Sequence, residues 1–341
     1  MRRDLLDLVY ERDELADLDA AQRRLALRAV VADAGLDPSL VSCIADEIDG
    51  YGPISELMRD ELVTDVLINA YDDVWIERGG DLSRTDVTFG GPQQLATWIE
   101  RMFARARARV DASSPIADAR LEDGSRIHAV LSPIAPAGPV VSIRRFPRAR
   151  PSLDELTGMG GLTEGQRELL RAAVAAKKTI AIGGATGSGK TTLMNALLGC
   201  VDPSERIVAI EETPELLPSH PHVVRLVARP PNLEGAGRVD LSDLVRAALR
   251  MRPDRIVVGE VRGSEALDAL AVMSTGHRGS MVTIHARSPG DVVARFVSCA
   301  LSARAGPIEE SLERRVRATF DVVVHLVREH GARRVAAIEG L

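Results

Sequence analysis

The sequence predicts an α/β protein of two domains, and three observations predict it. After residue 163 short β-branched runs, "KTIAIGG", "RIVAIEE", "RIVVGE" and "SMVTIH", alternate with helical segments such as "TTLMNALLG", "DLSDLVRAALRM" and "SEALDALAVM", the pattern of a mostly parallel sheet. Between residues 51 and 147 strands and turns dominate, with one amphipathic helix between them. The chain has 341 residues, 45% hydrophobic and 27% charged, which suits two soluble globular domains better than one core.

In chain order, residues 1–50 read as a helical N-terminal segment. Apolar residues recur at helical spacing in "LLDLVYERDELADL" and "AQRRLALRAVVADAG", and Gly35 and Pro38 mark a break. The segment is either a packed cap or a docking helix pair. From Tyr51 the pattern turns to β: "TDVLINA" and "DVWIER" flank a turn at residues 71–73, and "RGGD" leads into "SRTDVTF". An amphipathic helix is expected over about residues 93–109. "IADARLEDGSRIHAVLS" is a hairpin signature with Asp123 and Gly124 at its turn, and "GPVVSIRRF" is a further strand. Residues 51–147 therefore form a smaller N-terminal α+β domain. The Pro- and Gly-rich stretch "PRARPSLDELTGMGGLT" places a linker at residues 148–163 and the second domain at 164–341.

Composition narrows the function. No apolar run approaches the ~20 residues of a membrane helix, and the first residues lack the apolar core of a signal peptide, so a cytoplasmic chain is expected. Cys43, Cys200 and Cys299 are isolated and form no CxxC, so they read as reduced and structural. The net charge is -6, and residues 1–50 alone carry twelve acids against six arginines. Residues 92–150 reverse the balance, with ten arginines against five acids, which suits a nucleic-acid patch or an anion-facing surface. An aromatic content of 3% argues against base stacking on single strands.

The chemistry centres on "GGATGSGKTT". Gly184, Ala185, Thr186, Gly187, Ser188, Gly189, Lys190 and Thr191 fit G-x-x-x-x-G-K-[ST], which is a phosphate loop when it follows a strand and opens a helix. Both conditions hold. Glycines let backbone N–H groups approach phosphate oxygens, and the helix that follows adds the positive end of its dipole. Lys190 would reach the β and γ phosphates and Thr191 would hold Mg²⁺, with Thr192 completing the loop. Arginine supplies 40 of the 43 basic residues, so a lysine at this one position marks a need for a compact ammonium.

Ligands of open α/β sheets sit at the carboxyl ends of the strands. If the four apolar runs share one parallel sheet, their exits bring together Lys190, Glu211, Glu212, Glu260 and His285. Carboxylates suit both holding Mg²⁺ and orienting or deprotonating water. A lone Glu after a strand is usually a solvated loop residue; here both acids follow apolar runs in a domain that already holds a phosphate loop. His277 and His285, in "STGHRGSMVTIHA", have no HExxH or CxxC beside them, so a hydrogen-bonding sensor of phosphate state fits better than a zinc site.

Four stretches, "GATGSGKTTLMNAL", "ERIVAIEETPEL", "HVVRLVARPPNLEGAGRVDLSDLVRAALRMRPDRIVVGEVRG" and "TGHRGSMVTIHA", resemble the Walker A, Asp box, Walker B and His box of the secretion traffic ATPases, the motors of type II and type IV secretion and type IV pili. The likeness runs from about Tyr51 to the C-terminus. With "RPPN", "DASSPIADARLEDGSRIHAVL" and "SIRRF", the chain is most similar to the CpaF/TadA branch of tight-adherence pilus ATPases. The resemblance implies a RecA-like second domain and an ATP- and Mg²⁺-dependent homo-hexamer. It implies a place at the cytoplasmic face of the inner membrane, held there by platform proteins of a pilus or secretion system. It also implies roles: Glu211 and Glu260 handle metal and water, with Glu260 as general base, and His277 and His285 are the His-box pair. Arg126 in "DGSR", with Arg144 or Arg145 in "SIRRF", would reach the nucleotide from the N-terminal domain.

Departures from the pattern matter too. Glu212 stands where the family often has Asp, which leaves open which acid of the pair touches Mg²⁺, and the tetracysteine module of the type II branch is absent. A rival reading is a helicase-like or DNA-transfer motor, which the acidic net charge and scarce aromatics oppose. A third, a non-hydrolysing nucleotide-binding scaffold, would leave the acids idle.

Overall fold

The computed structural model describes residues 18–33, 35–146, 151–229, 236–303, 309–329 and 331–341. Two compact units divide at Arg148 and Ala149. The earlier of the two predicted N-terminal helices, and most of "RPPN", lie outside the described residues. Among the described residues no helix is long and apolar enough to cross a membrane.

In the first unit, helices α1 (Ala20–Asp33) and α2 (Ser39–Ile48) close a small core of their own from Leu27, Val31, Val41 and Ile44. A 3-10 turn (Gly52–Ile54) and the short α3 (Ser55–Arg59) lead into β1 (Val63–Ala70), β2 (Asp73–Arg78) and β3 (Asp81–Arg84). Helix α4 (Pro92–Arg105) is followed by β4 (Ile116–Arg120), β5 (Arg126–Val130) and β6 (Val140–Arg144). The sheet is antiparallel throughout, in the order β3-β2-β1-β6-β5-β4. Its alternating strands bury Val66, Ile68, Ile127, Ala129, Val141 and Ile143 on one face, against Trp98, Ile99, Met102 and Phe103 of α4. The helix stops four residues short of the expected end. Arg105 donates Nη1 to Gly50 O at 2.8 Å, and Arg107 takes a left-handed φ of 54° that breaks the helical path.

The second unit opens inside the stretch expected to be a linker. Ser152 caps α5 (Leu153–Gly158) with a capping box to Glu155, and Leu153, 1% exposed, packs into the core. Then come α6 (Glu164–Ala175), β7 (Ile180–Gly184), α7 (Lys190–Leu198), β8 (Ile207–Glu211), β9 (Val223–Val227), α8 (Leu241–Ala248) and β10 (Arg255–Val261). The chain ends with α9 (Glu265–Met273), β11 (Met281–His285), α10 (Pro289–Leu301), α11 (Glu309–Thr319), β12 (Val322–Glu329) and β13 (Ala332–Gly340). The seven strands run β13-β12-β7-β11-β10-β8-β9, all parallel except β13. Helices α5, α6 and α7 cover one face and α8 to α11 the other, so the central strands are buried on both sides and read as continuous apolar runs.

Candidate active site

The order β7-β11-β10-β8 sets the exits of four parallel strands side by side. The loop after β7 turns into α7 through Gly189, whose φ of 96° excludes residues with a Cβ. Ala185 and Thr186 are exposed on the loop, Gly187 and Gly189 are partly covered, and Ser188 is fully buried with no hydrogen-bond partner for Oγ. Lys190, Thr191 and Thr192 form the first turn of α7, where backbone N–H groups lack helical partners and can face an anion. Lys190 is 8% exposed, and its ammonium donates to Gly184 O at 3.0 Å and Ala185 O at 2.9 Å.

Beside it, β11 delivers His285 and β10 delivers Glu260. Their ladder pairs Val258 with Val282 and then Val261 with Ile284, so one extra residue on β10 forms a bulge. The Thr283 hydroxyl donates to Gly259 O within that bulge. A Cβ on Gly259 would lie 2.9 Å from Glu211 Cγ, so only glycine lets the neighbouring strand end approach. The bulge re-aims Glu260 toward the loop, where its Oε1 lies 2.7 Å from His285 Nε2.

His285 Nδ1 stands 3.5 Å from Lys190 Nζ. With Nε2–H given to Glu260, Nδ1 is the acceptor, so a neutral ring links ammonium to carboxylate. Burial and the Lys190 charge hold the imidazole below its ordinary pKa against the opposing pull of Glu260, which keeps that neutral form. Burial pushes the Glu260 carboxyl up, but Arg262, His285 and Lys190 together outweigh it and leave the group below the usual range, hence ionised. Arg262 grips it with Nε at 2.7 Å on Oε1 and Nη2 at 2.8 Å on Oε2, and reaches Glu212 at 3.3 Å. Glu260 Oε2 thus keeps an acceptor position for a water molecule.

Four expected site residues stand elsewhere than the sequence reading placed them. Glu211 is 2% exposed, and its Oε1 accepts from the backbone N–H of Glu215 and Leu216 at 2.7 and 2.6 Å, so it holds the turn after β8 and does not face Thr191. Glu212 is exposed and turned to Arg262. The acid beside Thr191 is Glu215, which accepts from Thr191 Oγ1 at 3.4 Å. His277 lies before β11, at the opposite end of the sheet from His285, with Nδ1 3.3 Å from Val272 O. In the first unit, Arg145 is 8% exposed and donates Nη1 to Asp60 O and to Val63 O, so it is spent inside its own unit. Arg126 and Arg144 are exposed and directly opposite each other on β5 and β6. Like charges so placed repel, and Asp65 Oδ1, 3.6 Å from Arg144 Nε, offsets part of that repulsion.

Glu215 and Arg262 were missed by sequence reasoning. Each sits a few residues beyond an acid that was singled out, in "EETPEL" and "GEVRG", and that proximity was the available signal. The side-chain donors at Thr191 are both oxygen, its own hydroxyl and the Glu215 carboxylate, whereas Glu211 Oε2, buried without a hydrogen-bond partner, lies 3.7 Å from Arg225 Nη2. Such a set fits Mg²⁺. Among the described residues no group of three or more His, Cys, Asp or Glu is arranged to hold a metal by itself.

A family model described as "Type II/IV secretion system protein" matches residues 47–336. The chain belongs to that family. A putative conjugal transfer protein of Mycobacterium tuberculosis is 41% identical over 299 residues, 86% of this chain and 84% of the relative. The type IV secretion system protein PtlH of Bordetella pertussis is 33% identical over 303 residues, 80% of this chain and 88% of the relative. In fold, the type II/IV secretion chain is similar to the pilus retraction motor PilT with bound ADP, at a TM-score of 0.60 and 20% identity over 84% of this chain and 81% of the other. Membership of this family, with a phosphate loop, a positioned carboxylate and an imidazole on one sheet edge, makes the protein an ATPase.

Proposed function

We propose that the protein is the motor subunit of a homo-hexamer of the CpaF/TadA kind, working at the cytoplasmic face of the inner membrane on platform proteins of a pilus or secretion system. The observation that carries this is the line Lys190–His285–Glu260 beside the phosphate loop, in a chain of the secretion-system family. ATP binds along residues 184–192, and Lys190 turns from the loop carbonyls to the β and γ phosphates. Thr191 and Glu215 would hold Mg²⁺, which would neutralise phosphate charge.

Glu260 Oε2 orients a water and takes its proton as the water oxygen bonds to the γ phosphorus. The bond from that phosphorus to the β–γ bridging oxygen breaks, and ADP leaves with the electron pair. Arg126 and Arg144 are the guanidinium donors this reading assigns to the phosphates from the first unit. Loss of the γ phosphate then frees them, and that change of grip is the mechanical output.

Two variants test the chemistry. Lys190→Ala abolishes turnover and nucleotide binding, while Glu260→Gln keeps ATP binding and slows kcat on the order of a hundredfold or more. A Gln variant as fast as the parent removes Glu260 as the base. Native mass in the presence of Mg-ATP reads the hexamer, and co-purification with a polytopic membrane protein reads the location. The conjugal-transfer relatives favour a second reading, a motor of a DNA-transfer apparatus. ATPase activity stimulated by DNA, and lost steeply with salt, would select it.

A further inference from the structure

The β12–β13 hairpin overhangs the phosphate loop. β12 pairs with β7 only as far as Leu326 opposite Gly184, and then runs on to Glu329 past the end of β7. β13 returns antiparallel, with Arg333 directly opposite Arg328. Side chains at alternate positions of a strand share a face, so Leu326 and Arg328 point the same way. That face is turned to the loop. A Cβ on Gly187 would lie 3.3 Å from Arg328 Nη1; one on Gly189 would lie 3.6 Å from Arg333 Cδ and 3.8 Å from Leu326 Cδ2. Two guanidinium side chains, directly opposite each other across the ladder, therefore flank the same loop whose N–H groups await phosphate, and guanidinium forks match phosphate oxygens.

Their side of the sheet decides which phosphate. β12 lies on one flank of β7, and β11 and β10, with His285 and Glu260, lie on the other. The reacting γ phosphate belongs to the flank with the carboxylate that orients water. We propose that Arg328 and Arg333 bind the non-reacting α and β phosphates, gripping ADP and ATP alike. This rests on the reading that residues 184–192 hold a nucleotide. The arginines set how long product stays bound, and they do no chemistry on the γ phosphate.

The test is equilibrium binding of Mg-ADP, of a non-hydrolysable ATP analogue and of pyrophosphate to the full chain, for the parent, Arg328→Ala, Arg333→Gln and Lys190→Ala. Arg333 is exposed, so its Gln variant folds as the parent does. Each arginine variant should weaken all three ligands by a similar factor, on the order of tenfold, with kcat at saturating ATP held within about threefold. Unchanged ADP and pyrophosphate affinity in both variants overturns the proposal. So does a loss confined to kcat, which would put the arginines on the γ phosphate. A parent that binds no nucleotide at all overturns the underlying reading instead, whatever the arginines do.

Discussion

At the start of β10, Arg255 is 1% exposed and donates Nε and Nη2 to Glu205 at 3.0 and 2.9 Å, with Nη2 also reaching Val174 O at 2.9 Å. Lys177 closes on the same carboxylate at 3.0 Å, and nearby Asp321 accepts from Lys178 Nζ and Thr179 N, both at 2.8 Å. At the other end of β10, Glu260, His285 and Arg262 stand at least partly exposed around the buried Lys190, with acceptor capacity remaining on Glu260. Residue type does not separate the two clusters. What does is the direction of the parallel strands, which aims one cluster at the phosphate loop and leaves the other to tie the strand starts to α6 and the preceding loops. Charges at the first edge fix the sheet; charges at the second wait for a ligand.

The sharpest way to break that contrast is Arg255→Ala. Removing one partner of a buried pair strands the other, and the loss is about 3–5 kcal/mol, toward the lower figure here because Lys177 still holds Glu205. Urea unfolding should show this as a large fall in midpoint, while the folded fraction binds Mg-ADP within about twofold of the parent. Normal stability with lost nucleotide affinity would mean that the two ends of β10 are not independent.

Glu211 sits between the two kinds of use, and pH separates them. Burial pushes its carboxyl up to about 7, against the backbone N–H groups of Leu216 and Glu215 and the Arg225 charge. A folded value above the unfolded one means that the folded chain holds a proton the unfolded chain has shed between about pH 4.5 and 7. Stability without nucleotide or metal should therefore fall as pH rises through that window, by on the order of 3 kcal/mol in total. Glu211→Gln, which cannot ionise, flattens the fall. Urea midpoints at pH 5 and pH 8 for parent and variant measure it; parallel profiles would assign the burial cost to another group.

The sequence carried the phosphate loop because its requirements are local: glycines and a lysine at fixed spacing, after a strand and before a helix. It carried the central strands because burial on both faces leaves β-branched runs such as "IVAI" and "MVTI". The acids were harder. Whether Glu211 or Glu215 faces Thr191 depends on how the chain folds back after β8, and spacing alone does not contain that turn. Arg144 and Arg145 were treated alike, although neighbours at a strand end point to opposite faces, and Arg145 takes the inner one. β12 and β13 went unassigned, and with them the arginines beside the loop. The residues themselves carry the signal for β12, since "VVVHLV" is as apolar as the central strands.

His277 offers the smallest effect and the finest discrimination. Quoted in one stretch with His285, it is separated from it by the length of β11, roughly 15 Å at about 3.3 Å per residue. Its ring meets Val272 O at the end of α9, a carbonyl that also accepts from Thr275 N at 3.2 Å and Thr275 Oγ1 at 3.1 Å, so the histidine adds little to that helix end. His277→Ala should cost up to about 1 kcal/mol of stability and change kcat/KM less than about threefold. His285→Ala, which breaks the link from Lys190 to Glu260, should lower kcat/KM on the order of tenfold or more with little loss of stability. If the two substitutions reduced hydrolysis equally, no path within one subunit would explain it. A neighbouring copy would then have to bring its His277 to the nucleotide of the next subunit, and mixing His277→Ala subunits with Lys190→Ala subunits would restore part of the activity.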